Sequence, residues 1–444
     1  MTRYPMLRRT RDASILLAVV AVFLVLRLPL SVVLAGLLPI VVLVWDGVRL
    51  PSRQAILMWV FLLAALVMST YAWLTNSGVP LVNNATIMLV MMAMVAALTC
   101  TSATRNAFRY FMNGILLGLW ICLLSAVFEV VSGVKLLPLI YPDANTAAAV
   151  AGNRFIVASF FPNYNDFSVA MAIFGVMLTA QLLLGTRKGP LVKIARIGAL
   201  LALTFFIVVI GSRGALLGLL GGMVLVALTA ARLTRRRLLS VQNMLVLVLC
   251  AIAAGMFLMA TPFVQDTSTA LRGLIIDNTI GMLLDDPHRL WAGWSNMVLF
   301  REEAAELFPD LLMDPHNLLL ELVTMYGLPA MVTYLLVWFQ ITYRGLWQLR
   351  IMAGWREASA VVVSVLMPVI GIVPSSSLRY YWVFMFMAAA IAALQMYERH
   401  RHLLAAQVAS SSEVDSAGPL ALAAAHGEVE GDRDQEAERH RADH

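Results

Sequence analysis

"RLPLS", residues 27–31, interrupts an apolar run that otherwise extends from about residue 14 to about residue 45. Read without a break, the run is one helix. Broken at Pro29, it is two helices, and every later loop changes sides. Charge decides between them, because Lys and Arg collect in the cytoplasmic loops of membrane proteins. With the break, and with the N-terminus inside, the cations of segments 3–11, 49–53, 105–109, 187–196, 232–237, 344–356 and 399–401 all face the cytoplasm. Lys135, Arg154, Arg213, Arg272, Arg289, Arg301 and Arg379 face outward. Merging the two helices spoils this alternation for every later loop.

The rest of the chain reads in the same way. It has 444 residues, 61% of them hydrophobic and 13% charged, with a mean hydropathy of +0.82. Repeated apolar runs near bilayer length exclude a soluble core and predict an all-α polytopic membrane protein. Twelve transmembrane helices are expected at about 14–27, 30–45, 55–74, 84–101, 109–131, 167–184, 192–210, 214–231, 243–261, 318–342, 357–373 and 380–397, with both ends inside. The basic opening "MTRYPMLRRTRD" resembles a secretory signal, but no small-residue cleavage site follows, so it reads as a retained first helix. Cys100, Cys122 and Cys250 fall within spans and offer neither a disulfide framework nor a zinc spacing. The formal net charge of +6 is mostly the positive-inside signal and does not support a nucleic-acid partner.

Two outward segments are long, about 132–166 and about 262–317. The second contains amphipathic helices at 268–284 and 296–308, which predicts a cap lying on the membrane face between helices 9 and 10. The expected organisation is a cytoplasmic N-terminus (1–13), helices 1–9 (14–261), an extracytoplasmic loop domain (262–317), helices 10–12 (318–397) and a disordered cytoplasmic tail (398–444), rich in Ala, Ser and Glu.

The outward polar residues carry the chemistry. Arg213, in "GSRGALLG", sits at an outer turn between glycines; it either approaches an anionic ligand or snorkels to lipid phosphates. Arg154 and Arg379 pose the same pair of readings. Arginine's planar fork suits bidentate phosphate binding, so several arginines at one face fit a lipid-linked pyrophosphate. Of the histidines, only His288 and His316 can lie outside. His288 is expected to pack in a loop against Trp291 or Trp294. His316, at the border of cap and helix, is either a general base on a hydroxyl or a residue of the helix cap beside Asn317. Asp314 is a rival base, or the group that orients His316 and raises its basicity.

Four segments then carry a resemblance. "DPHNLLLELVTMYGLP" (314–329) resembles the His-Asn signature of the O-antigen ligase and Wzy-type polymerase superfamily. "GSRGALLG" (211–218) is similar to its Ser-Arg-Gly turn, "FFPNYNDFSVA" (160–170) to its Asn-Pro-Asn segment, and "LLDDPHRLWAGWSN" (283–296) to its loop element. The resemblance covers roughly residues 60–395 in order and topology.

What it implies is transfer of a glycan, with inversion, from undecaprenyl pyrophosphate to an acceptor hydroxyl on a glycan, lipid or wall polymer. The reaction would take place at the outer face of the bacterial cytoplasmic membrane, without cofactor or metal, in cell-surface polysaccharide polymerisation or ligation. Arg213 would bind the donor pyrophosphate and His316 would act as base, with Asp314 beside it. Asn317 would orient the base or the sugar; Asn165, Arg154, Arg272 and Arg379 would be further substrate contacts. The sequence departs from the family in the order Pro162-Asn163-Tyr164-Asn165-Asp166, which has one residue more than Asn-Pro-Asn. It departs again after Arg272, where "LRGLIID" lacks a tryptophan. The loop 262–317 is net acidic, which suits discrete arginine contacts and carboxylates on acceptor hydroxyls rather than a broad anion funnel.

Two other classes compete. A transporter of an anionic or lipid-linked substrate fits the helix count, but the sequence shows no repeat of halves and little intramembrane charge beyond Glu129 and Glu321. A lipid-sugar transferase with a carboxylate in its first outer loop is disfavoured because "LPLS" is short and has none. A membrane scaffold explains the hydrophobicity but not the order of motifs.

Overall fold

The computed structural model describes residues 4–28, 30–75, 84–136, 157–161, 164–185, 189–233, 267–294, 296–309, 315, 317–348, 354–372 and 381–403. The "RLPLS" turn separates α1 (Tyr4–Leu26) from α2 (Ser31–Asp46), and the two helices pack against each other. Then come α3 (Ile56–Thr75), α4 (Asn84–Thr99), α5 (Thr104–Ser132), α6 (Tyr164–Leu184), α7 (Pro190–Ile210) and α8 (Arg213–Leu233). Three helices follow at the cap, α9 (Thr267–Asp285), α10 (Pro287–Ala292) and α11 (Met297–Leu307). The chain continues with α12 (Leu318–Gln340, extended by a π turn at Ile341–Gly345), α13 (Trp355–Ile372) and α14 (Tyr381–Leu403).

The described residues make a polytopic helical membrane protein. Seven of their helices are long and apolar enough to cross a membrane, and Ala13–Leu26, Ser31–Asp46 and Asn84–Thr99 are shorter apolar helices. The expected ninth span, 243–261, lies outside the described residues. The last helix runs to Leu403, past the end expected at 397, and 404–444 also lie outside. Two compact units are distinguished, Met1–Gln395 and Met396–His444; the described part of the second, 396–403, is helical.

Burial separates central from peripheral helices. Every residue from Trp382 to Gln395 is buried, as is every residue of α6 from Asp166 to Gln181. A hydrophobic helix with no polar face is stable only when surrounded by apolar material, and these two are surrounded by protein. α3 instead exposes Ile56, Val60, Leu63, Val67, Tyr71 and Leu74 at helical spacing while burying Met58, Phe61, Leu62 and Ala65. That stripe is the lipid-facing side of the bundle. Small residues let backbones close in: a side chain at Gly114 of α5 would collide with the Ala18 carbonyl of α1, and one at Gly118 would meet Val25.

The helix ends sort into two faces. At one, Arg49 N–H donates to Cys100 O (2.7 Å), and Gln340 and Arg344 both donate to Gln54 Oε1 (3.0 and 2.8 Å). At the other, the end of α3 and the start of α12 meet the cap, and the start of α4 meets α12. This cap end holds the polar residues considered next.

Candidate functional site

The site begins with a broken helix. Asn317 caps α12, its Oδ1 accepting from Leu319 N (3.0 Å) and Leu320 N (3.2 Å). Glu321 follows in the first turn, fully buried. Pro329 then removes the N–H that would have bonded the Met325 carbonyl, and Gly327 takes φ 77°, ψ 169°, a conformation essentially confined to glycine. The carbonyls left open are not orphaned. Asn84 Nδ2, at the start of α4, donates to Met325 O (2.9 Å), and Trp294 N–H, from the cap, donates to Thr324 O (2.7 Å). The "YGLP" sequence thus makes a notch in α12 that the cap fills.

The cap's side of this contact is equally tight. A side chain at Gly327 would strike the Trp291 carbonyl, and a Cβ at Gly293 (φ +70°) would lie 2.7 Å from Thr324 O. Asp286 caps α10, accepting from His288 N (2.9 Å), and Asn296 caps α11, accepting from Val298 N (3.0 Å). Glu303 joins the two short helices by accepting from Arg289 (3.0 Å) and from the indole of buried Trp294 (2.7 Å). The Arg289 guanidinium lies 5.3 Å from the Trp294 ring centroid. Two carboxylates of the acidic loop, Asp286 and Glu303, are therefore internal braces, which narrows the set available to an acceptor sugar.

A second polar group lies where α1, α6 and α14 meet. α1 ends in a Schellman motif, with Leu28 N–H bonded to Phe23 O and Arg27 N–H to Leu24 O, both 3.3 Å. Arg27 occupies its left-handed position at φ 52°, where glycine is usual and a side chain costs about 1–2 kcal/mol. Its Nη1 is 3.8 Å from Oδ2 of Asp166, which is 1% exposed in the first turn of α6, where the helix dipole favours an anion. The guanidinium also lies 6.0 Å from the ring centroid of Tyr381.

The Ser-Arg-Gly turn is at the same level. Gly211 ends α7 in the left-handed conformation, its N–H bonding Ile207 O and Val208 O. Phe167, one residue from Asp166, packs edge-on against Phe206 of α7 at 5.8 Å. Along parallel α6 and α8, Val176 meets Gly222. Asp166 and Ser212 each precede those positions by ten residues, so the register sets the two at about the same level of the bundle. Arg213 opens α8 half-buried; the Ser212 hydroxyl is buried and makes no hydrogen bond among the described residues.

Residues 198–335 match the family model described as O-antigen ligase. That span supports the resemblance to the O-antigen ligase and Wzy-type superfamily. Neither the curated proteins nor the solved structures gave a match. The matched span of this O-antigen ligase domain runs from α7 through the cap to α12, and so takes in the Ser-Arg-Gly turn, the cap and the notch. That family is one of glycan ligases and polymerases, and the match supports an enzyme of glycosyltransferase type.

Among the residues that the sequence singled out in this O-antigen ligase frame, Arg213, Asn165 and Asn317 are described with their side chains. Arg272 lies on α9, with its side chain outside the described set; His316, Asp314, Arg154 and Arg379 lie outside it altogether. Asn165 is half-buried in the first turn of α6. Asn317 does cap α12, so any contact it makes with a sugar falls to Nδ2. His288 packs on Tyr71 of α3 (ring centroids 5.2 Å), a contact the sequence reading did not name, since α10 lies against α3.

Sequence reasoning passed over Arg27, though a lone cation ending an apolar helix was a usable signal. It also passed over the role of Glu129, a buried carboxylate near the end of α5. Glu129 accepts from Leu136 N (2.9 Å) and Ser159 N (3.2 Å), tying two strands of loop together.

Proposed function

We propose that the protein transfers a glycan from undecaprenyl pyrophosphate to an acceptor hydroxyl at the outer face of the bacterial cytoplasmic membrane, in polymerising or ligating a cell-surface polysaccharide. The frame is twelve spans with both ends in the cytoplasm, 262–317 forming the extracytoplasmic cap. The observation that carries this reading is the O-antigen ligase match, whose span includes the Ser-Arg-Gly turn and the cap-bearing helix. The arrangement at that turn supports it: Arg213 at a helix N-terminus, beside a buried hydroxyl, is the kind of site that receives phosphate.

In the reaction the acceptor oxygen bonds to the anomeric carbon as the bond from that carbon to the pyrophosphate oxygen breaks, which inverts the centre. His316 takes the hydroxyl proton, with Asp314 orienting it or standing as the alternative base. Arg213 stabilises the charge that gathers on the departing pyrophosphate, with Arg154, Arg272 and Arg379 as further contacts. Asn165 and Asn317 hold sugar or base. No metal or cofactor enters the scheme.

Deleting the gene in its own host and sizing the surface glycan tests this reading, with complementation by wild type and by His316→Ala. Single repeat units left on the acceptor identify a polymerase, and full-length glycan held on the lipid carrier identifies a ligase. No change in any glycan overturns the proposal and returns the transporter reading. Donor binding is expected to weaken in Arg213→Ala and to persist in His316→Ala.

A further inference from the structure

We infer that Arg109 of α5 and Arg356 of α13 form a binding site for the phosphate of an anionic phospholipid headgroup, at the face of the bundle away from the cap. The inference goes beyond the proposed function and does not depend on it. Arg109 lies in the first turns of α5, which follows Cys100, and Arg356 opens α13, which follows Arg344. The proposed frame puts this end in the cytoplasm. Arg356 Nε donates to Asn113 Oδ1 of α5 (3.0 Å), and its guanidinium stands 4.6 Å from the ring centroid of Trp355. Asn113 is one helical turn beyond Arg109 on the same face of α5, and Arg105 is one turn before it. The hydrogen bond therefore brings Arg356 alongside Arg109, close enough for the two charges to act on each other.

Three features of this place are unfavourable for a cation left to itself. Arg356 is half-buried, it sits in the first turn of a helix, where the dipole repels positive charge, and it faces a second arginine. Burial first, and then the charge of Arg109, lower the pKa of the Arg356 guanidinium. Glu357, the carboxylate of that turn, offsets this in part, but its Oε2 folds back over Gly354 and it pairs with neither arginine among the described residues. Arg105 and Arg109 are exposed and make no ion pair among the described residues. A phosphate diester reverses all three features: it meets two guanidinium forks, lies at a helix N-terminus and neutralises the like charges. Asn113 and the Trp355 ring hold Arg356 by its Nε and one face, which leaves the Nη edge to donate. The position favours a lipid as the source of that phosphate, because a basic pocket between helix ends, beside an interfacial tryptophan, is level with the headgroups.

The alternative is an ordinary set of positive-inside cations that hold no lipid in particular. Native mass spectrometry of the full chain, delipidated in neutral detergent and titrated with phosphatidylglycerol or phosphatidylcholine, separates the two. Wild type should bind the first phosphatidylglycerol at least about tenfold more tightly than phosphatidylcholine. Arg109→Gln breaks no hydrogen bond or ion pair among the described residues, so it should weaken that binding at least about fivefold at an unchanged unfolding midpoint. Arg356→Gln should show a similar loss, and Arg356→Lys, which keeps the charge without the fork, a smaller one. Wild-type affinity in both glutamine variants, or no preference for phosphatidylglycerol in the wild type, would overturn the inference. Inorganic phosphate, titrated in parallel, identifies the source: a rise in the unfolding midpoint that is lost in Arg109→Gln and that phosphatidylglycerol does not match would assign the pair to a soluble anion and refute a lipid site.

Discussion

At the α12 notch the cap meets the bundle backbone to backbone, whereas at the end of α1 a turn meets α6 through side-chain charge. The notch works because side chains are missing: Gly327 and Gly293 let the Trp291 carbonyl and Thr324 O approach, and Trp294 N–H fills the opened ladder. The α1 end works because a side chain is kept against its backbone preference, Arg27 at φ 52° facing Asp166. The first junction is steric and fixes a position. The second is electrostatic.

That contrast predicts how each junction fails. Gly327→Val should be the most damaging change. It places a branched side chain in a glycine-only conformation and against the Trp291 carbonyl, for a loss of about 3–5 kcal/mol. Thermal unfolding in detergent and faster proteolysis of 267–307 would record it; an unchanged midpoint would mean that the cap does not depend on the notch.

Arg27→Gly comes next. It removes the ion-pair partner Arg27 from the buried Asp166 carboxylate, which costs about 3 kcal/mol, while relief of the left-handed backbone returns about 1 kcal/mol. A net loss near 2 kcal/mol, recovered by adding Asp166→Asn, is expected in the same unfolding assay. Failure of the second substitution to restore stability would deny the electrostatic reading.

Glu303→Gln keeps the shape of the brace inside the cap but weakens its charge-assisted bonds to Arg289 and Trp294, for about 1–2 kcal/mol. Hydrogen exchange at α10 and α11 should rise while that at α6 stays constant. The smallest effect belongs to Asn317→Ala, loss of a helix cap worth about 1 kcal/mol. A much larger fall in activity than in stability would show that Asn317 also touches substrate.

The fold was legible wherever one physical rule acted alone. Hydropathy and the positive-inside bias located α2 to α8 and the "RLPLS" turn, and amphipathic spacing located α9 and α11. Legibility stopped where tertiary contact set the outcome. α10 was read as loop because six residues give no periodicity, and its Asp286 cap is recognisable only once the helix exists. The role of Gly327 depends on the Trp291 carbonyl, more than thirty residues away in sequence. Arg27 went unread for the same reason, since its partners Asp166 and Tyr381 come from helices far along the chain. Local motifs pointed to Arg213 and His316, and only packing pointed to the Arg27–Asp166 pair.

The most direct test of the account is carrier release. Purified protein in proteoliposomes would be given undecaprenyl-pyrophosphate-linked glycan and acceptor from its own host, and free undecaprenyl pyrophosphate would be measured alongside glycan size. Wild type should release the carrier as the glycan moves to the acceptor, and Arg213→Ala and His316→Ala should each slow release by at least about a hundredfold at an unchanged unfolding midpoint. No release by wild type, or release by both variants within about tenfold of it, would contradict the account.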